Sequence, residues 1–470
     1  VRRVPRIIFV STFVLAGPTA FIPAVARAQS QPQTPAQSSQ PNPERSPAAS
    51  PTQPPAVGVF GDFGGERTKL ANAGVVLRGH YTAEAAGNPS GGLQQGTAYA
   101  SELQLGTDVD FGTLEHNGLG TLHFTFTARE GSSLSADAIG NIFTVQEIYG
   151  SGLTPRLTEL SFDQPFAAKK IDVSFGRVIT ENDFAASPTY WGGNLYCSFQ
   201  SNAICGTPIA APIDSGYDAY PQSTWGARIK GVPTPNFYVE AGAYQVDPSY
   251  GLRGNGFNLG FGNTTGTYLP FEAGIQSLDG DKNPTGSLRV GGYYDTSNAT
   301  NVTGQVSRFA TASTDPIFTS AGAGLTDRGR FGYWIQADHL IAGGAGPKAR
   351  GTAIFASYEY GDPQTALLTN FVDAGIVQHG TFAGRDHDTI ALGYAYTNVN
   401  PNVRAFETSL LDAGYDVPYN TQEQIGELNY GMQVTPWMSL RPGVQYVWRP
   451  SGNAAIKNAL VLDLSTSITF

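Results

Sequence analysis

Apolar and polar positions alternate along most of this chain, and the last eleven residues show the pattern most plainly. In LVLDLSTSITF, Leu460, Leu462, Leu464, Thr466, Ile468 and Phe470 share one face, and Val461, Asp463, Ser465, Ser467 and Thr469 take the other. Successive side chains of a strand point to opposite faces, so this is an apolar face backed by a small polar one. Three stretches near the other end repeat it. In 74–85, Val75, Leu77, Tyr81 and Ala83 oppose Arg78, His80, Thr82 and Glu84. In 102–111, Leu103, Leu105, Val109 and Phe111 oppose Glu102, Gln104, Asp108 and Asp110. In 121–129, Leu122, Phe124, Phe126 and Ala128 oppose His123, Thr125, Thr127 and Arg129. A dry core would not tolerate those charges, whereas a water-filled lumen would. An aromatic last strand is a sticky edge in an open sheet. In a closed barrel it pairs with the first strand, and lipid covers its apolar face.

Counting the last strand, thirteen segments beyond those three carry the period: 156–166, 170–180, 223–232, 236–247, 266–276, 287–297, 330–341, 351–360, 366–377, 388–398, 421–434, 437–449 and 460–470. With the first three they make sixteen, an even number as in bacterial outer-membrane barrels. The connections alternate too. Those near 86–98, 131–155, 181–222, 248–265, 298–329, 399–420 and 450–459 are mostly long. Those near 112–119, 167–169, 233–235, 278–286, 342–350 and 435–436 are short, and 361–365 is shorter than its side predicts. Long outer loops and short periplasmic turns are the barrel signature, and parity puts both barrel ends in the periplasm. The expected fold is therefore all-β: a sixteen-stranded antiparallel transmembrane β-barrel with constricting extracellular loops, in the bacterial outer membrane. Phe470 is then the aromatic end offered to the barrel-assembly machinery.

Composition agrees. Charged residues are 14%, aromatics 11%, and Gly numbers 57. The mean hydropathy of -0.18 excludes a helical membrane protein, and no apolar run is long enough for a spanning helix. Arg2, Arg3 and Arg6, then apolar Ile7 to Ala16, then Ala26-Arg27-Ala28 read as a signal peptide over 1–28, with Gln29 as the mature start. Residues 29–60 are Pro, Gln, Ser and Ala, a composition that stays extended or disordered as a periplasmic tail. Residues 61–470 form the barrel, with a small helix or plug near Phe60 to Ala73. The formal charge of -10 becomes more negative when the signal leaves, which argues against nucleic acid as a partner. Cys197 and Cys205 sit in one outer loop of an exported protein and are expected to form a disulfide.

Catalytic motifs are missing: there is no GxSxG, HExxH, P-loop or GxGxxG after a strand. An outer-membrane hydrolase would need a Ser or Asp paired with a His, a place His80 or His123 could fill. Asp279, Asp281 and Asn283 begin like a calcium loop, but Pro284 and Val290 break it, so a plain turn is expected, with no metal and no cofactor. The lumen face remains. Arg78, Arg129, Arg156 and Arg177 lie on or beside it, with Glu84, Glu102, Asp108, Asp110, Glu159 and Glu181. Mixed signs at a constriction supply hydrogen-bonding groups without rejecting every anion or cation. Such a lining suits a neutral polyhydroxylated solute. The loop 181–222, aromatic and stapled by its cysteines, is read as folding into the barrel rather than capping it.

At several stretches the sequence resembles the carbohydrate-selective porins of the OprB type. These are AGNPSGG (86–92), SLSADAIGN (133–141), QEIYG (146–150), RLTEL (156–160), GR (176–177) and DFAASP (183–188). The likeness continues through YCSFQSNAICG (196–206) and WGARIKGVPTPNFYVEAGAYQVDP (225–248). The resemblance implies facilitated diffusion of glucose and other small carbohydrates, with the second and third outer loops, here 131–155 and 181–222, narrowing the pore. It also implies pore-lining roles for Arg78, Glu102, Arg129, Arg156, Glu159 and Arg177. A general or organic-acid-selective porin, an outer-membrane barrel enzyme and a structural barrel stay open at this point, as does monomer against homo-oligomer.

Overall fold

Sixteen strands close into one antiparallel barrel in the computed structural model, which describes residues 58–115, 118–150, 153–206, 210–302, 326–414 and 419–470. The expected signal peptide, nearly all of the 29–60 tail and most of the 298–329 loop lie outside the described residues. In chain order the wall begins with β1 (Val75–Gly92), β2 (Gly96–Asp110), β3 (Thr121–Gly131), β4 (Arg156–Phe166) and β5 (Ile171–Val178). A small hairpin, β6 (Thr189–Tyr190) and β7 (Gly193–Asn194), interrupts it inside the third outer loop. The wall resumes with β8 (Thr224–Thr234), β9 (Phe237–Val246), β10 (Gly266–Leu278), β11 (Pro284–Thr300) and β12 (Thr326–Gly343). It ends with β13 (Gly351–Gly361), β14 (Leu368–His379), β15 (Thr389–Val399), β16 (Gln422–Thr435), β17 (Met438–Trp448) and β18 (Lys457–Thr469).

The last strand does pair with the first: Tyr81 faces Ile468 and Ala85 faces Leu464 across the seam, while β2 takes the other edge of β1. Every wall strand then has a strand partner on both sides. The two faces sort as the alternation requires. Leu77, Leu105, Phe124 and Leu462 are 40%, 43%, 43% and 55% exposed on the outside, whereas Glu84, Glu102, Arg129 and Asp463 are buried within. Among the described residues no helix is long and apolar enough to cross a membrane.

One connection departs from expectation. The 86–98 segment is not a loop, because β1 and β2 stay paired through Ala86–Ala98, Gly87–Thr97 and Asn88–Gly96. Gly, Asn and Pro signal a turn locally, but the turn lies at the tip of the longer hairpin. There the Asn88 amide donates to Gly91 O (3.0 Å) and Gln94 O (2.8 Å) and accepts from Gly96 N (2.9 Å). The Asp279 turn is as expected: its carboxylate accepts the N–H groups of Asp281 (2.9 Å) and Asn283 (2.8 Å).

A short helix, α1 (Glu66–Asn72), rests on the seam. Val59 N–H donates to Thr469 O (2.9 Å), the Phe60 and Phe470 rings stack at 5.7 Å, and Arg67 Nη2 donates to Leu77 O (3.0 Å). A longer helix, α2 (Pro401–Asp412), occupies the seventh outer loop and is capped by Asn400, whose side chain accepts from Asn402 N. Glu407 of α2 is buried, accepts Asn420 N–H (2.8 Å), and is pushed by burial from its ordinary 4.5 up to about 7. A raised carboxyl binds its proton more tightly in the folded loop than in the open one. The loop is therefore most stable below about pH 4.5 and loses that stability as pH rises through 7. Hydrogen exchange over 401–414, corrected for intrinsic rate, is expected to be faster at pH 8 than at pH 5. Equal protection at both would remove Glu407 as the cause.

Candidate functional site

The lumen is narrowed by its own loops, and the wall's carboxylates hold them there. In the second outer loop, Ile142 N–H donates to Glu423 (2.8 Å) and Ile148 N–H to Glu84 (3.3 Å). In the third, Ala185 N–H donates to Glu272 (2.8 Å), Ala210 N–H to Glu359 (2.9 Å) and Gly216 N–H to Asp295 (2.7 Å). Gln200 and Ser201 N–H both reach Glu427, at 2.9 and 2.7 Å. Charge-assisted bonds to buried backbone donors are stronger than neutral ones and fix the loop path. The Cys197–Cys205 disulfide closes the segment that Glu427 grips. Near it, Phe199 and Tyr196 pack on Phe355 with ring centroids 5.9 and 4.6 Å away.

The third loop crosses the lumen to the opposite rim. At its hairpin, Trp191 N–H donates to Ala345 O (3.0 Å) and Trp191 Nε1 to Gly344 O (2.8 Å), both in the short turn between β12 and β13. The indole stacks flat on His379 at 5.0 Å. Trp191→Ala is expected to free this tip. Exchange of amides 189–195 should rise while the wall strands stay protected, and unchanged exchange there would show that the latch carries no weight.

Strands β1 to β5 carry the residues singled out from the sequence. Arg129 and Glu102 face each other across β2 and β3 and form a buried ion pair. Tyr220, from the third loop, donates its hydroxyl to Glu102 (2.9 Å), receives Gln104 Nε2 (2.9 Å), and lies under the Arg129 guanidinium, 5.3 Å from ring centroid to Cζ. Arg156 donates to Tyr250 O (3.2 Å), and Arg177 lies 4.1 Å over the Tyr250 ring and donates to Asn258 O (3.3 Å). Arg129 and Arg177 are close enough to Arg156 for like charges to oppose one another, with Asp218 of the third loop as counter-charge. A rung nearer the inner rim, Arg78 binds Asp108 (2.8 Å) and Thr125 (3.2 Å). Thr125 in turn donates to Glu159 (3.3 Å), which also accepts from Ser161 (3.0 Å). The structure thus groups Glu102 with Arg129, Arg156 with Arg177, and Arg78 with Glu159.

The match to proteins of known family is decisive. The model of the carbohydrate-selective porin family, OprB, covers residues 94–470. Porin B of Pseudomonas aeruginosa is 33% identical over 427 residues, covering 88% of this chain and 91% of that protein. A putative porin, QuiX, of Acinetobacter baylyi is 27% identical over 434 residues, 88% of this chain and 93% of its own. The high-pH structure of Pseudomonas putida OprB superposes with a TM-score of 0.80 at 30% identity, over 89% of this chain and 99% of that one. This chain belongs to the OprB family of carbohydrate-selective porins.

The porin is therefore a channel of the outer membrane and not an enzyme. His80 and His123 make contacts between neighbouring strands: His80 Nε2 meets Ser467 Oγ at 2.6 Å across the seam, and His123 Nδ1 meets Asp108 at 2.7 Å. Among the described residues, the one grouping of ligand atoms tight enough for a metal ion is Glu147 with Cys197 and Cys205. The disulfide already joins those two sulfurs. Sequence reasoning missed Glu272, Asp295, Glu359, Glu423 and Glu427 as loop anchors. Their signal was present: acids at lumen-facing positions of strands beyond the arginine-bearing ones. It also missed Tyr220 and Tyr250, whose rings lie against the arginines.

Proposed function

We propose that the porin lets small neutral carbohydrates diffuse past a constriction formed by Arg78, Glu102, Arg129, Arg156 and Glu159, with Arg177, in register with Leu160 and Trp225, bracing it from behind the wall. The observation that carries this reading is the Arg129–Glu102 pair against Tyr220, with Arg156 and Arg177 against Tyr250. Guanidinium and carboxylate groups can exchange their partners for sugar hydroxyls, and an aromatic face can cover the C–H face of a sugar ring. Opposite charges side by side give a transverse field with no net preference for ions of one sign, and many hydrogen-bonding groups for a neutral solute. The names of the relatives, Porin B and OprB of a carbohydrate-selective family, support the same substrate class.

Sites in a conducting channel must release their solute, so binding is weak and saturable. Single-channel current in a planar bilayer is expected to fall in steps as glucose is added, and to saturate. Current indifferent to glucose but blocked by organic acids would overturn the sugar reading in favour of an acid-selective pore. The leader 1–28 is taken to be removed after Ala28, so protein extracted from outer membranes should begin at Gln29.

A further inference from the structure

The fourth outer loop, residues 247–265 between β9 and β10, does not project into water. Tyr250 and Gly251 are tucked beside the third loop, and the segment 256–261 lies against the outside of the wall. β5 pairs with β4 only from Leu160–Arg177 downward, and leaves the wall at Val178. Gly176 makes that departure possible: its φ is +132°, and a Cβ there would meet Leu160 O at 2.3 Å. The fourth loop closes the resulting gap. Leu157 N–H donates to Gly256 O (2.9 Å), Arg177 Nη1 to Asn258 O (3.3 Å) and Trp225 Nε1 to Leu259 O (3.1 Å). Gly256 comes so near that a Cβ would sit 2.1 Å from Pro155 O.

The loop's apolar side chains then face outward. Phe257 stacks on Phe126 (6.1 Å) and Phe261 on Trp225 (5.8 Å). Both partners belong to the lipid-side set of their strands. Phe126 alternates in step with Phe124, and Trp225 in step with Ile229, which is 54% exposed. Leu252, Phe257 and Phe261 are 59%, 59% and 63% exposed. From Leu252 to Asn263 there is no acid, and the one charge is the exposed Arg253, in a chain whose formal charge is -10. An exposed apolar patch of this kind marks an interaction surface. Aromatic rings beside a cation suit the boundary between acyl chains and anionic headgroups.

We propose that residues 252–261 are immersed in the outer leaflet, with lipid acyl chains covering Phe257 and Phe261 and a headgroup phosphate meeting Arg253. The patch is continuous with the lipid-facing belt, and this continuity favours lipid over a second copy of the chain. Because Asn258 and Tyr250 also hold Arg177 and Arg156, the lipid-covered loop braces one wall of the constriction from outside.

Phe261→Cys takes a nitroxide label selectively, since the two native cysteines are joined. The labelled porin, diluted into dioleoylphosphatidylcholine vesicles, is expected to collide more with oxygen than with a water-soluble nickel chelate. It should match a Leu462→Cys control on the belt and differ from Asp281→Cys in a turn. Nickel-dominated collisions at 261 alone would overturn the proposal. Dipolar broadening between labels at high lipid dilution would overturn it in favour of a second copy. Water-like behaviour at 462 as well would reject the bilayer reading itself and this proposal with it. The unmodified porin supplies a check free of substitution. A phospholipid with a diazirine in its acyl chain should modify 252–261 as it modifies the belt strands, and modification of the belt without the loop would refute immersion.

Discussion

Replacing Arg129 by alanine is expected to abolish most of the sugar-dependent block of the channel and to weaken the barrel at the same time. Glu102 and Arg129 are both buried, and Glu102 also accepts the Tyr220 hydroxyl at 2.9 Å. Removing one member of a buried ion pair strands the other's charge and costs about 3–5 kcal/mol. A fall in stability alone would therefore say nothing about sugar. The double variant Arg129→Met, Glu102→Gln separates the two effects. It removes both charges at similar volume, and the amide oxygen can still accept from Tyr220, so stability should largely return. The block should not return, because the guanidinium's donors are gone. Thermal unfolding and glucose titration of single-channel current read the two quantities independently. An unaltered block in Arg129→Ala would remove the residue from the constriction. A block restored in the double variant would show that shape, not charge, holds the sugar.

The wall was legible in the sequence because one local rule produces it. A two-residue period is imposed by backbone geometry, and each strand displays it without knowledge of its neighbours. That is why 366–377, the least regular stretch, still corresponds to β14. The rule failed at 86–98 because local turn residues conflicted with pairing, and pairing won. The loop paths were less legible for a related reason. An acid such as Glu359 on an inward face reads as wetting a pore. That it accepts Ala210 N–H depends on a segment about 150 residues away in the chain, which no local pattern encodes. The six charged residues named from the sequence are all on the wall, but the rings against the arginines come from the third and fourth loops. The outward course of the fourth loop was hidden too. Phe257 and Phe261 stand among glycines and asparagines that resemble any surface loop.

Glu427→Ala is expected to open the channel rather than to alter its chemistry. Glu427 is buried and accepts Gln200 N–H, Ser201 N–H and the Asn429 amide (2.7 Å). Alanine leaves two backbone donors facing a space with no acceptor, at about 1–3 kcal/mol each. Packing around Phe199 cannot replace those bonds, since an apolar contact offers nothing to an N–H. The stapled segment 197–205 should therefore leave the wall as a unit, its disulfide keeping the nine-residue ring intact while its position is lost. Single-channel conductance should rise and its noise increase, and glucose block should weaken because solute passes beside the constriction instead of through it. This outcome differs from Arg129→Ala, in which the loops keep their anchors. Glu427→Gln should fall between, because its single carbonyl oxygen can serve one of the two donors while its NH₂ faces the other. Glu423→Ala should loosen the second loop at Ile142 without disturbing Gln200. If conductance in Glu427→Ala equals that of the native channel, the wall carboxylates merely accompany the loops, and the constriction must be held by packing alone.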